Sequence, residues 1–170
     1  MSMLRLPKPW PIVLTLVLSC GSFSLQACPT DDLQLVGQGK MSWLFFDLYL
    51  ARFYSADGHY QPDQFPQALC LRYQRNIDKK DLLKATVSEW QRLGVRWKKS
   101  WQEQLAAAWP SVRRDDELTL RIDKDGASHF YFNDSQLGEI TDTEFGPAFL
   151  AIWLSPDSKN PGLTRQLKGN

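Results

Sequence analysis

The feature that most constrains this chain is a regular alternation of apolar and polar side chains in its second half, interrupted once by a turn signal. Residues 118–122 alternate as a strand with one buried face does. Asp125-Gly126 follows, and this dipeptide is a strong signal for a tight hairpin. Residues 129–132 are the predicted return strand, and residues 137–140 predict a further strand after another turn. The second half of the chain therefore contains β-hairpin structure.

The first half predicts three more strands. Residues 33–36 are a short strand candidate, and residues 37–40, which read Gly-Gln-Gly-Lys, predict a turn. Residues 43–54 are apolar and aromatic almost throughout. They predict a long strand covered on both faces and kinked near Asp47, with a helix as the alternative. Residues 69–75 alternate again, which places on one face Leu69, Leu71, Tyr73 and Arg75.

Two amphipathic helices are predicted between these groups of strands. Asp78 is a favourable N-cap, apolar residues then recur at helical spacing, and Gly94 ends the run. Large apolar residues recur three or four apart over residues 97–108, and Pro110 ends this second helix.

Helical structure is also predicted at the C-terminal end. Asp142 or Thr143 caps a helix that must hold Pro147 in its first turn. A short helix is expected at about residues 163–167. Because no repeat or linker divides the chain, we predict a single α+β domain.

The first 27 residues have a different character. Arg5 and Lys8 are their only charges, an apolar run covers residues 12–18, and small and polar residues lead to Ala27. This order is typical of a secretory signal peptide, and the run is far shorter than the roughly 20 residues that cross a membrane. We therefore expect the protein in the periplasm.

Two interpretations of the processing site stay open. Ala27 before Cys28 resembles a lipoprotein signal, in which Cys28 becomes the acylated first residue of the mature chain and anchors it to the membrane. Cys20 lies in a second, weaker signal of this kind. With ordinary cleavage Cys28 is instead available to pair with Cys70 in an oxidising compartment.

Composition and motifs argue against several classes of function. The chain has 20 basic and 19 acidic residues, and removing the two basic residues of the leader leaves 18 against 19. No basic surplus then remains to attract nucleic acid. His59 and His129 are the only histidines, so we expect no metal site, and no phosphate-binding loop or other cofactor motif occurs. We expect no cofactor.

Basic residues cluster between the two predicted central helices: Arg92, Arg96, Lys98 and Lys99. The cluster is either a solvated helix end, where cations favour the helix dipole, or a local patch for anionic lipid or peptidoglycan.

The order of these elements resembles the chalcone isomerase-like family, in its exported bacterial branch. The resemblance is carried by the Gly-Gln-Gly segment leading into residues 46–54, by residues 71–77 before a helix, and by residues 137–140 and 145–155 near the end. It implies an open-faced β-sandwich over residues 28–170, with a large antiparallel sheet and helices packed on one face. It also implies a cleft between sheet and helices, in which plant members cyclise chalcones and other members bind fatty acids.

The resemblance also implies positions for functional residues. The enzymes carry an arginine shortly after the Gly-x-Gly segment and a threonine on the next long strand, and these positions fall here on Met41 and about Tyr49. A thioether cannot stabilise a phenolate as a guanidinium does, so we expect no chalcone cyclisation. In the fatty-acid-binding members an arginine and a tyrosine hold the carboxylate, a role that Arg75 with Tyr73 or Tyr49 is expected to fill.

The sequence thus predicts a non-catalytic exported domain that binds a fatty acid or a similar apolar anion. An envelope scaffold protein without a ligand is the alternative, and an isomerase or lyase acting on another substrate is a weaker one. A core closed by four aromatic residues would favour the scaffold: Trp43, Phe45, Trp90 and Trp101.

Overall fold

Six antiparallel strands form one sheet in the order in which they occur along the chain. The computed structural model describes residues 29–43 and 46–170, so the predicted signal segment 1–27, Cys20 and Cys28 lie outside the described residues. The strands are β1 (Gln34–Trp43), β2 (Phe46–Ser55), β3 (Gln67–Tyr73), β4 (Glu117–Ile122), β5 (Ser128–Phe132) and β6 (Ser135–Ile140). Each strand is hydrogen-bonded antiparallel to the next.

Four helices pack on one face of this sheet. They are α1 (Lys79–Arg92), α2 (Lys99–Ala108), α3 (Phe145–Leu154) and α4 (Pro161–Leu167). Among the described residues, none of the helices combines the length and the apolar character that a membrane crossing requires. The predicted α+β class, with an antiparallel sheet and helices on one side, is confirmed.

The core lies between the helices and the alternate residues of the strands that face them. Phe53, Leu71 and Phe130 are buried on this face of the sheet. From the helices, Trp90 packs edge-on against Phe145, with ring centroids 6.1 Å apart. These aromatic rings bury large apolar areas, and their edge-to-face geometry adds to the stability that burial provides.

The opposite face of the sheet is polar. Arg52 forms an ion pair with Glu117 on this face. Arg121 binds Asp32 with two hydrogen bonds of 2.6 and 2.9 Å and also donates to the Pro29 carbonyl. The segment before β1 is thereby attached to the face that the helices leave uncovered.

The predicted turn at residues 37–40 is wrong, because β1 runs through it. Gly37 and Gly39 pair with Phe53 and Ala51 across a continuous ladder that carries a bulge near Val36. Both glycines lie under α4, where a Cβ atom on Gly37 would be 1.9 Å from the Gln166 carbonyl oxygen. The glycines are therefore explained by the close approach of a helix and not by a turn.

The strand predicted over residues 43–54, and not the helix that was its alternative, is confirmed from Phe46 onward, but its predicted start is wrong. Trp43 ends β1 and pairs with Phe46, the first residue of β2, so a hairpin divides the apolar run. Asp47, the predicted kink, accepts hydrogen bonds from Ser42 and Lys40 close to this hairpin.

The helix boundaries follow the sequence signals closely. Asp78 is the N-cap of α1, and Gly94 follows its C-cap with φ of 67°, a left-handed conformation that glycine adopts without strain. The second helix begins at Lys99, two residues later than predicted. Glu144 is the N-cap of α3, which replaces the predicted Asp142 or Thr143, and Pro147 falls in the first turn as expected.

Candidate functional site

An apolar cavity of about 460 Å³ opens between the sheet and the helices. Its floor comes from strands β1 to β4, and its walls come from α1, α3 and the segment that joins α3 to α4. This volume lies within the range of roughly 300–1,000 Å³ that is common for small-molecule sites. Residues from these four strands form the floor: Met41, Leu48, Tyr49, Leu71, Tyr73 and Leu118.

A β-bulge shapes this floor. Met41 pairs with Tyr49, whereas the next residue, Ser42, pairs with Asp47, which leaves Leu48 without a partner in the β1–β2 register. A bulge changes the direction of side chains at one point of a strand. Here Leu48 and Tyr49 both line the cavity, although neighbouring residues of a regular strand point to opposite faces.

Tyr49 is fixed by a hydrogen bond across the cavity wall. The Trp153 indole Nε1 of α3 donates to the Tyr49 hydroxyl oxygen at 2.9 Å. Burial raises the pKa of Tyr49 to about 12, although the Trp153 hydrogen bond acts in the opposite direction. The phenol therefore stays protonated, and its own hydrogen is available for donation.

Tyr73 lies directly opposite Tyr49 on the neighbouring strand. The two rings meet edge-on with centroids 5.9 Å apart, as cross-strand pairs on one face of a sheet do. Tyr73 is only 3% exposed, and burial raises its pKa strongly. Among the described residues its hydroxyl has no hydrogen-bond partner, so the floor of the cavity carries an unused donor.

Three charged residues line the cavity, and Glu89, the least exposed of them, is near enough to Tyr49 to contribute to its raised pKa. Asp81 and Glu89 come from α1, and Lys159 comes from the α3–α4 segment. The Lys159 ammonium is 3.9 Å from Glu89, and the lysine side chain is 64% exposed. Glu89 also accepts two hydrogen bonds from Arg92, at 2.9 and 2.8 Å. Of the cavity-lining residues that the structure describes, Lys159 is the only cation.

The structure brings three of the four predicted ligand residues together. Met41, Tyr49 and Tyr73 all line the cavity, and Met41 is held by a contact of 3.5 Å from the Asn160 amide nitrogen to its sulfur. Asn160 also caps α4 by accepting a hydrogen bond from the Leu163 backbone N–H at 3.0 Å. The loop before α4 and the sheet floor are thus joined at this residue.

Arg75 is not brought to the cavity. The strand predicted over residues 69–75 ends at Tyr73, so strand alternation no longer determines where Arg75 points. The guanidinium lies 5.5 Å from the centre of the Phe46 ring, in a shallow surface hollow that Asp47 and Arg114 also line. Arg75 therefore has no position from which to anchor the polar end of a ligand in this cavity.

Sequence reasoning did not identify the wall residues as part of a site. Leu82, Thr86 and Glu89 recur at helical spacing in α1, and Trp153 lies on the predicted buried side of α3. Those patterns indicated burial but could not show that the opposing surfaces leave a space. Of the aromatic residues that were expected to close the core, Trp90 and Trp101 pack edge-on against Phe145 and do not line the cavity. Phe45 and the side chain of Trp43 lie outside the described part of the chain.

Neither a metal site nor an unpaired basic patch is indicated in the described part of the chain. It contains no group of three or more His, Cys, Asp and Glu side chains placed to hold a metal ion. In the basic cluster, Lys98 pairs with Asp142 at 2.6 Å and with Glu144 at 2.7 Å. Arg92 donates two hydrogen bonds to Glu89. These ion pairs favour the interpretation of the cluster as a solvated helix end.

Comparisons with known proteins agree with this architecture. The profile of the family described as chalcone isomerase-like matches residues 25–169. A protein of Haemophilus influenzae described as uncharacterized is 29% identical over 145 residues, which cover 84% of this chain and 71% of that protein. The crystal structure of a fatty-acid binding protein of Arabidopsis thaliana matches with a TM-score of 0.66 at 10% identity, over 83% of this chain and 89% of the other. The structural match shows a shared fold.

Proposed function

This chain belongs to the chalcone isomerase-like family, and we propose that it binds one elongated apolar lipid of the fatty-acid class without transforming it. The observation that carries the proposal is the cavity of about 460 Å³ between sheet and helices, whose lining is predominantly aliphatic and aromatic. Filling it with a hydrocarbon chain removes apolar surface from water, which contributes roughly 0.8 kcal/mol per buried methylene.

The fold match supports this class of ligand. The Arabidopsis protein is named as a fatty-acid binding protein, and it shares the sheet and helices that form the cavity here. A scaffold protein with a filled core would not require such a space. The open cavity therefore favours a binding protein over the scaffold alternative.

The chemistry of the floor argues for binding without catalysis of chalcone cyclisation. Met41 lines the cavity at the position where the family resemblance places a catalytic arginine. Its thioether carries no charge and no N–H donor, so it cannot stabilise a phenolate nucleophile.

We extend the proposal to the cell envelope. The basic start, the short apolar run and Ala27-Cys28 favour export, with Cys28 as the lipidated residue if the lipoprotein signal is used. Fractionation of the host cell tests this part, since recovery of the full-length chain in the cytosol would contradict it. Loss of membrane attachment in a Cys28→Ser variant would separate a lipoprotein from a soluble periplasmic protein.

A variant that fills the cavity tests the binding proposal. Ala85 is an exposed residue of α1 that lines the cavity, whereas its neighbour Lys84 is exposed and does not. Ala85→Trp should block the space and lower the affinity for dodecanoic acid and its methyl ester at least tenfold in a calorimetric titration. Lys84→Trp adds the same side chain to the same helix and should bind both as the wild type does. Absence of binding in the wild type, or equal affinity in all three proteins, would contradict the proposal.

A further inference from the structure

We infer that the cavity accepts the polar group of its ligand as an uncharged hydrogen-bond acceptor, the carbonyl of an ester or of an un-ionised carboxylic acid, and not as a carboxylate. The inference rests on the proposed function and names the form of ligand that the site selects. It is carried by the two tyrosine hydroxyls on the floor and by the placement of charge around the cavity.

The floor presents donors that lack an acceptor. Tyr73 is buried, lines the cavity, and its hydroxyl has no partner among the described residues. Tyr49 lies opposite it, and because its oxygen accepts from Trp153, its hydrogen remains free to be donated. The Tyr73 hydroxyl is not one of the fully enclosed polar atoms that lack a partner, so it is accessible in the cavity. A ligand acceptor placed near the two rings would accept hydrogen bonds from both hydroxyls. Burial keeps both phenols protonated, and they act as neutral donors at every physiological pH.

The electrostatics disfavour a carboxylate at the same place. An ionised group in an apolar space needs a counter-charge, and Lys159 is the only cation that the described lining offers. Lys159 is mostly exposed and already near Glu89, and the other charged residues of the lining, Asp81 and Glu89, are acidic. A neutral carbonyl avoids both the desolvation of an ion and the repulsion from the two acids.

The test compares dodecanoic acid with methyl dodecanoate between pH 6 and pH 8. Over this range the un-ionised fraction of a carboxylic acid with a pKa near that of a glutamate falls roughly a hundredfold. The apparent dissociation constant of the acid should therefore rise steeply with pH, while that of the ester stays constant. Asp81, Glu89 and Lys159 are the charged residues that line the cavity. The ester controls for a pH-dependent change in the fold or in the shape of the cavity, because such a change acts on both ligands.

Tyrosine variants test whether the carbonyl of the ligand accepts a hydrogen bond from the cavity floor. Tyr73→Phe should weaken binding of the ester roughly two- to tenfold, which is the range for one neutral hydrogen bond. Tyr131→Phe is the matched control, because Tyr131 lies on the opposite face of the sheet and does not line the cavity. Its affinity should equal that of the wild type.

Three results would overturn the inference. They are tighter binding of the acid than of the ester at pH 8, loss of acid binding in Lys159→Met, and unchanged ester affinity in Tyr73→Phe. In each case the wild-type protein would still bind a ligand, and the proposed function would stand. Failure of both ligands to bind at any pH would instead remove the proposed function.

Discussion

At the scale of single residues, the two tyrosines of the cavity floor differ in what their hydroxyls do for the folded protein. Tyr49 accepts a hydrogen bond from a largely buried indole, whereas Tyr73 has no partner in the described part of the chain. Forming a hydrogen bond adds little net stability, whereas leaving a buried donor without its acceptor costs more. Loss of the hydroxyl should therefore affect the free energy of unfolding differently at the two tyrosines.

We therefore predict different effects on the free energy of unfolding for two matched substitutions. Tyr49→Phe leaves the Trp153 N–H without its acceptor and should lower the free energy of unfolding by about 1–3 kcal/mol. Tyr73→Phe removes a hydroxyl that has no partner in the described part of the chain and that is not fully enclosed, so it should leave that free energy nearly unchanged. Urea denaturation of the ligand-free proteins measures both values. Equal destabilisation by the two substitutions would show that Tyr73 has a partner in the folded state.

At the scale of elements, the contact between β1 and α4 determines the shape of one cavity wall. Helix α4 lies directly over Gly37 and Gly39 and contributes Leu163 to the cavity. A methyl group at Gly37 cannot be accommodated unless the backbone of α4 moves.

Gly37→Ala should therefore destabilise the domain by about 1–3 kcal/mol or more, as overpacking of a close contact does. Gly162→Ala is the control within α4, since a Cβ there would meet only the Asn160 side chain at 3.4 Å. Alanine is also the better helix former, so this variant should be neutral or more stable. Thermal unfolding of the two variants measures the difference, and equal melting temperatures would contradict this account of Gly37.

The same glycines show which parts of the fold the sequence could predict. Local signals were sufficient for α1, because Asp78 and Gly94 define its ends through backbone geometry that is encoded locally. Gly37 and Gly39 were mistaken for a turn, because a turn and a close helix contact select the same residue. The end of β3 was missed for a similar reason. The Tyr73 backbone still pairs with residues 115 and 116, far along the chain, and local alternation cannot show where such non-local pairing stops.

The site was predictable only in part. Met41, Tyr49 and Tyr73 were placed by the family resemblance and do line the cavity. Arg75 was placed by extending the alternation of β3 two residues too far. The Tyr49–Trp153 hydrogen bond joins positions 104 residues apart, so only the three-dimensional fold could reveal it. The charged residues of the lining, Asp81, Glu89 and Lys159, are likewise brought together only by the fold.

At the scale of the whole molecule, the two faces of the sheet have different roles. One face carries the aromatic core and the cavity, and the other carries ion pairs that hold the segment before β1. A core that is well packed around Trp90 and Phe145 but open beside Tyr49 and Tyr73 gives the domain stability and a binding space at once.

The central claim is that this space holds one lipid molecule, and native mass spectrometry of the protein recovered from its own host tests it most directly. We predict a complex with a single lipid adduct, which denaturing conditions release and which Ala85→Trp does not retain. Incubation of the emptied protein with methyl dodecanoate should restore a one-to-one complex. The claim would be contradicted if the native protein had only the mass of the polypeptide and no adduct formed with either the ester or the acid.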